Sequence, residues 1–590
     1  MLDLRLYRAA FVPVLLVLLV VAFSLTTRPR PIGTTLATDT FSGAQALSTL
    51  DRLTAQFPDR RPGSRADRAM AAAIAAELRR TVPGSVTTST AGGRTIDGVR
   101  DLTTVTATRP GAPGPEIVVV AHRDSAGSPA RAELSGTAAL LELARVAGAG
   151  RLQRTITFLS TSGGSGGFAG AVEAASRLGR PVDAVIVLGA VGAAGSYQPI
   201  VSGVSNGPGQ APLQLTRTVR EAVAAESGLR SGAPGAFIQG LRMAAPMTTG
   251  EQGPFLRAGL PAVLVSATGE RVPSPGAAIS PRRLEGVGRG VLRALYALDN
   301  GPDISGDGPT QALVMRGKVL PAWAVRLLVL ALLLPALLVA VDGLARLRRR
   351  RERLLPWVAW GLAPALALAV TAVVAVALAK VRLLAAAPPA PVPPGALQAS
   401  AGAVVAGLVL LATAGLGWAA LRPLVLRAAG MTTGTRPDPP AAGVVAGAAV
   451  PFAAFALWFL NPYAAGAMVP AAHLWLWATA PDIRAARRVR AGLILAGCAV
   501  PLMVVAVLAQ ILGLGVQQVP WFWTLLIAGG HVPWWSWLAW SVFWGGAVTS
   551  LLVVFRRTRV PDTPEQITIR GPRSYAGPGS IGGTTSALRR

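Results

Sequence analysis

The chain has 590 residues, 52% of them hydrophobic and only 14% charged, with a mean hydropathy of +0.48. These values argue against a purely soluble globule and for an integral membrane protein with room for a folded domain outside the bilayer. A formal net charge of +28 would suit a nucleic-acid binder, but the arginines lie in short clusters beside apolar runs, as membrane topology dictates, so no nucleic-acid partner is expected.

Residues 1–8 are short and basic, and 9–25 form a continuous apolar run long enough to span a bilayer. With no small-residue cleavage site behind it, the run reads as an uncleaved signal-anchor that leaves 1–8 in the cytoplasm and sends the following chain outside. From 40 to 300, helices expected near 67–80, 135–148, 167–178, 212–226 and 281–298 alternate with strands near 102–108, 117–121, 155–160, 184–188 and 262–266. That alternation predicts an α/β domain with a mostly parallel sheet covered by helices on both faces. The single cysteine, Cys498, excludes an intramolecular disulfide, so the domain must be stable from its core alone. Residues 301–309, rich in Gly, Pro and Asp, open a linker that runs to 320.

Beyond Pro321, seven more apolar spans, near 322–342, 357–379, 399–420, 442–460, 465–480, 491–514 and 534–555, predict an all-α transmembrane region over 322–555. Arginine clusters at 346–353, 422–436, 484–490 and 556–559 fall on alternate loops, while the opposite loops carry little charge. Eight spans with both termini cytoplasmic therefore form a self-consistent topology. Residues 386–396, built of Ala, Pro, Val and Gly, make a stiff outer loop, and the Gly/Ser/Thr-rich tail 556–590 reads as disordered and cytoplasmic. The preference for Arg over Lys and the abundance of Ala point to a high-GC bacterium, hence to the plasma membrane.

Polar groups within the spans are few: His473, Asn461, Asp342 and Gln510. An ionisable residue there is a functional candidate by default, and a neutral His473 hydrogen-bonded between helices is the commoner alternative. Trp521, Trp523, Trp534, Trp535, Trp537 and Trp540, with His531 among them, form an aromatic belt at one interface. No Walker loop, acidic relay or inverted repeat supports a transporter.

The stretch that carries chemistry is 116–146. Its apolar run 117–120 ends in His122, Arg123, Asp124 and Ser125, and a helix opens near Ser135 and Gly136. In an open α/β sheet, ligands bind beyond the carboxyl ends of the strands, where His122 and Asp124 lie. Gly163-Gly164-Ser165-Gly166-Gly167 fits the Gly-x-Ser-x-Gly elbow of serine hydrolases, after a strand and before a helix. The elbow needs a downstream His as base, and the histidines after Ser165 are His473 and His531, both in the membrane half; Ser165 therefore reads as part of a flexible loop.

Five pieces in order resemble the aminopeptidase-Y-type two-zinc exopeptidases over residues 42–299. They are Arg60-Arg61-Pro62-Gly63-Ser64, Ala121-His122-Arg123-Asp124-Ser125, the helix start at Ser135, the stretch 253–263, and Ile279-Ser280-Pro281-Arg282-Arg283-Leu284. The resemblance implies a zinc-exopeptidase fold, with two zinc ions, five His, Asp or Glu ligands and a general base. Only His122 stands where its motif expects it. The slot of a bridging Asp reads Arg131-Ala132, with Glu133 one place late, and the slot of a Glu-Glu pair is the loop 162–167. A further Asp slot is Gly189 or Ala190, and the slot of the final His is Arg271.

An Arg in the shell adds positive charge where a dinuclear site needs negative charge. The expectation is therefore a membrane-anchored pseudo-peptidase with no cofactor and no catalytic residues, which binds peptides or envelope components or organises membrane protein partners. Its former cleft is expected to be formed by His122, Ser165 and Arg271, with Arg271 opposite His122 holding a carboxylate or phosphate. The alternative is an active zinc-dependent aminopeptidase with a reduced, mononuclear site drawn from His122, Asp124, Glu133 and Glu251. The order of one span, an outer domain and a multi-span bundle also resembles the eukaryotic vacuolar and endoplasmic-reticulum membrane relatives of this family.

Overall fold

A computed structural model of the chain describes residues 4–556, apart from 129, 151, 180, 230, 231, 233, 305–309, 385–388, 398, 399, 438, 439, 481, 482 and 484. The expected tail, except Arg556, lies outside the described residues.

The apolar run near the N-terminus is helix α1 (Leu4–Phe23), followed by strand β1 (Thr26–Thr27). The α/β domain then runs α2 (Gly43–Gln56), α3 (Arg65–Thr81), β2 (Ser85–Thr95), β3 (Gly98–Arg109), β4 (Ala112–His122), α4 (Arg131–Ala149), β5 (Arg154–Thr161), α5 (Ala169–Arg177) and β6 (Val182–Leu188). It continues through β7 (Val201–Ser202), α6 (Leu213–Ser227), α7 (Ala236–Ala244), α8 (Gln252–Arg257), β8 (Ala262–Val265) and α9 (Pro281–Asn300). Helices α2, α3 and α9 start where serines 42, 64 and 280 accept a first-turn backbone N–H, from Gln45, Asp67 and Arg283. Each such bond satisfies a donor that a helix end otherwise leaves unpaired.

The sheet order is β2-β3-β5-β4-β6-β8-β7. Its parallel character is confined to the four central strands, β5, β4, β6 and β8; β2, β3 and β7 pair antiparallel at the edges. Strand β4 lies near the middle with Val118, Val119 and Val120 fully buried, as its unbroken apolar run demands of a strand covered on both faces. The β2–β3 hairpin escapes sequence reading because β2 is a Ser/Thr/Gly run with mostly exposed or half-buried positions and no apolar alternation.

Part of the expected linker, 310–320, carries two short strands. Strands β9 (Leu313–Val314) and β10 (Lys318–Leu320) form a small sheet with β1, which joins the chain leaving α1 to the chain entering the membrane half. That half comprises α10 (Ala322–Arg349), α11 (Leu354–Lys380), α12 (Ala401–Leu416), α13 (Arg422–Ala428), α14 (Pro440–Leu460), α15 (Pro462–Thr479), α16 (Arg487–Gly497), α17 (Ala499–Leu512), α18 (Gln518–Ala528) and α19 (Trp534–Arg556).

Among the described residues, seven helical segments are long and apolar enough to cross a membrane: Arg5–Phe23, Ala322–Arg349, Leu354–Lys380, Ala401–Ala428, Pro440–Leu460, Arg487–Leu512 and Trp534–Arg556. The eighth expected span, 465–480, is α15, which is helical but not among them. Pro462, Tyr463, Pro470 and His473 dilute its hydropathy, and Trp475, Met468 and Ala471 are buried inside the bundle, so packing rather than lipid shields much of it. Within α15, His473 Nε2 lies 2.9 Å from the Leu332 carbonyl, and the Tyr7 hydroxyl lies 3.4 Å from Nδ1. His473 thus lies within hydrogen-bonding distance of groups on two other helices.

The domain is seated on the bundle through α7. Leu241, Met243 and Ala244 join the apolar cluster of α10, α14 and α15, and Asn461 Nδ2 donates to the carbonyls of Met243 and Ala244. The Asn461 side-chain oxygen meanwhile caps α15 by accepting from the Tyr463 and Ala464 amides.

Candidate functional site

The site forms where β4 ends between β5 and β6. Beneath it Arg123 is fully buried: Nε lies 2.8 Å from an Asp67 carboxylate oxygen, Nη1 donates to the Ser160 carbonyl at 3.0 Å and Nη2 to the Thr103 carbonyl at 2.6 Å. Arg60 is equally buried and donates to the carbonyls of Arg123 and Ala130, at 2.8 and 2.7 Å. These two arginines hold the loop after β4 in place, and the hydroxyl of Thr137 on α4 donates to the His122 carbonyl at 2.8 Å.

Asp124 turns away from the recess. Its carboxylate accepts from the Gly164 amide at 2.8 Å, the Ser165 amide at 3.0 Å and the Ser165 hydroxyl at 2.5 Å. The loop that fits the serine-hydrolase elbow is therefore tied down by Asp124. The one histidine in the domain, His122, faces Glu251 instead, with Nδ1 3.4 Å from Oε2. The other Glu251 oxygen accepts from the Thr161 hydroxyl at 2.5 Å. Gly164 is required here, because a Cβ would stand 2.2 Å from the His122 ring.

His122, Glu133, Ser165, Glu251, Glu270 and Arg271 line a recess of about 60 Å³. Glu133, in the first turn of α4, has no hydrogen-bond partner among the described residues. Burial pushes its carboxyl up to about 7, with Asp124 adding to the rise while His122 and Arg60 oppose it. For His122 burial works downward, but the Glu251 contact and the charges of Glu251, Asp124 and Glu133 outweigh it and raise the ring to about 9. His122 and Glu251 therefore form an ion pair at neutral pH.

Arg271 shares the recess with His122 but is otherwise engaged. Its guanidinium carbon lies 4.0 Å from the centroid of the Tyr197 ring, and Nη2 donates to the Gln510 carbonyl at the end of α17. The expected anion clamp is thus also a tether from the domain to the membrane half. Glu270 was not singled out by the sequence: it accepts from Ser202, Arg242 and Thr248, at 2.8, 2.5 and 2.5 Å. An acid next to Arg271 is the only local signal, and its three partners come from elsewhere in the chain.

The parallel-centred sheet flanked by helices, with this recess at the strand ends, defines a zinc-exopeptidase-like α/β domain attached to a helical region of apolar spans. Residues 104–234 match the model of Peptidase family M28. Comparison with curated proteins gives no match. Solved structures similar to part of the chain include a glutaminyl cyclase of Porphyromonas gingivalis, at 20% identity, covering 44% of this chain and 99% of its own, with a TM-score of 0.33. Others are BSAP, a zinc aminopeptidase from Bacillus subtilis (15% identity, 44% and 96% covered, TM-score 0.36), and a Zn-dependent exopeptidase from Parabacteroides distasonis (17%, 43% and 98%, 0.34).

The expectation of no cofactor is corrected by these findings: the matched peptidase family, with a zinc aminopeptidase and a Zn-dependent exopeptidase among the similar structures, points to zinc-dependent proteins. The side chains as placed do not fit a two-zinc centre. Among the described residues no three His, Cys, Asp or Glu side chains converge as metal ligands. Both Asp124 oxygens accept loop hydrogen bonds, and Arg60 brings positive charge to Glu133 and Asp124.

Proposed function

We propose that this chain is a multi-pass plasma-membrane protein whose peptidase-like domain stands on the outer face and captures the amino end of a peptide in its recess without hydrolysing it. The observation that carries this reading is Glu133, a buried carboxylate that lines the recess with no hydrogen-bond partner among the described residues. An unpaired carboxylate in such a place is costly, and an ammonium group, with three donors and a positive charge, relieves it. The recess has room for a few waters or a small head group, which suits an amino terminus rather than a whole substrate.

Hydrolysis lacks a partner among the other groups. His122 is held protonated by Glu251, and the Ser165 hydroxyl donates to Asp124 rather than to a base. One observation favours hydrolysis as a second reading: a carboxyl raised to about 7 suits a general base, and Glu133 has it. For the topology, the arginine loops support eight crossings with α15 counted among them and both termini in the cytoplasm.

The test uses the full chain in detergent with added zinc, so that loss of metal cannot mimic inactivity. A fluorescent tripeptide with a free amino end should bind. Its acetylated counterpart should bind at least about tenfold more weakly, and Glu133→Gln should abolish the preference. Mass spectrometry should find the tripeptide intact; cleavage by the wild type that vanishes in Glu133→Gln would establish the hydrolase reading instead.

A further inference from the structure

A cavity much larger than the recess lies elsewhere. About 940 Å³ lies between the edge strand β7, the start of α6, the chain leaving α1 and the chain entering α10. Arg28 and Arg220 line it, and Arg217 stands one helical turn before Arg220. The Nε atoms of all three are buried without a hydrogen-bond partner. Arg217 donates to the Pro29 carbonyl and lies 3.1 Å from Glu221, a half-exposed residue of the next turn. Arg28 and Arg220 have no carboxylate partner among the described residues.

Two guanidinium groups thus share one cavity wall, with a third one helical turn behind them and a single, solvent-screened counter-charge. Burial pushes Arg220 below its usual range, and Arg28 and Arg217 push it further, which expresses the mutual repulsion. Natural structures keep such groups only where something pairs them. The rest of the wall includes Val201, Val204, Ile304 and Val314. Thr27, just beyond α1, and Ala322, the first residue of α10, also border the cavity, so it sits where two apolar helices emerge from the domain.

We infer that this cavity binds a phosphate group, carried by an anionic lipid or by a soluble phosphate compound. Guanidinium forks match phosphate oxygens in paired hydrogen bonds, which lysine does less well. The volume is far larger than a phosphate ion requires, and the apolar wall and the adjoining spans favour the lipid. The inference rests on α1 and α10 being membrane spans and is independent of peptide binding at the recess.

The experiment compares the purified full chain with Arg28→Gln and with Arg28→Gln/Arg220→Gln. Phosphatidylglycerol should survive with the wild type in native mass spectrometry and raise its melting midpoint, whereas phosphatidylcholine should do neither. The double variant should retain at least about tenfold less phosphatidylglycerol, and its lipid-free midpoint should equal or exceed that of the wild type, because a repulsion has been removed. Arg28→Gln, on the surface chain after α1, should lie between, and covers the case in which the double variant does not fold. A shift given equally by inorganic phosphate and abolished by the variants would assign the site to a soluble phosphate. If wild type and variants retain the lipid equally, or neither phosphatidylglycerol nor inorganic phosphate shifts the wild type, the inference is wrong.

Discussion

Arg123 and Arg220 belong to the same domain, and the difference between them separates structure from function. Arg123 lies under the recess with Asp67 beside its Nε and backbone carbonyls on both terminal nitrogens. Arg220 lines a cavity together with Arg28, with a buried Nε that has no partner. A buried charge with a partner on every nitrogen stabilises the fold and is unavailable to a ligand. One whose donors are open destabilises the empty state and is released from that cost when an anion arrives. The recess repeats the contrast in carboxylates: Asp124 is consumed by the loop 164–165, while Glu133, nine residues on, is open.

The largest expected effect tests the satisfied side. Arg123→Ala strands Asp67 as an uncompensated buried charge and should cost about 3–5 kcal/mol, read as a steep fall in the thermal midpoint or in folded yield. A change within about 0.5 kcal/mol would show that the pair contributes nothing and would break the comparison.

A second prediction concerns pH. The folded-state value for His122, about 9, lies above its unfolded value near 6.5, so the stability it contributes is fully present below pH 6.5 and is lost as pH rises through 9. The shift corresponds to roughly 3 kcal/mol, to order of magnitude. Chemical denaturation of the full chain at several pH values between 6 and 10 should show this decline, and His122→Gln should flatten it. Glu133 acts in the same direction lower down: its folded value of about 7 lies above the unfolded value, so its contribution fades as pH rises toward and through 7.

The smallest effect is assigned to Arg271, whose bond to the Gln510 carbonyl is exposed. Arg271→Ala should cost about 1 kcal/mol or less and leave tripeptide binding within about threefold of wild type. Loss of acidic-peptide binding without loss of stability would restore the anion clamp expected from the sequence and place Arg271 with the open charges.

Much of the fold was legible in the residues because periodicity and capping are local. The unbroken apolar run of β4, the helical spacing of α4 and the Ser280-Pro281 start of α9 each declare their element within a few positions. The apolar spans follow in the same way, since a bilayer imposes its thickness on each helix separately. Helix α15 shows where that rule weakens: 465–480 reads as a span, yet a segment shielded by its neighbours can be less apolar than the other seven.

The site residues split along the same line. His122 and Asp124 could be placed at a strand end from their own surroundings, but their roles could not, because each partner is remote. His122 meets Glu251 across 129 positions, and Asp124 meets Ser165 across 41. Arg217 reaches Pro29 across 188, and no local pattern announces that Arg28 and Arg220, from two segments, will share a cavity. Local sequence determined the elements and the spans. Only the strand order and the docking of the chain just after β1 against α6 decided which charges are satisfied and which are left open, because those pairings depend on where distant segments are brought together.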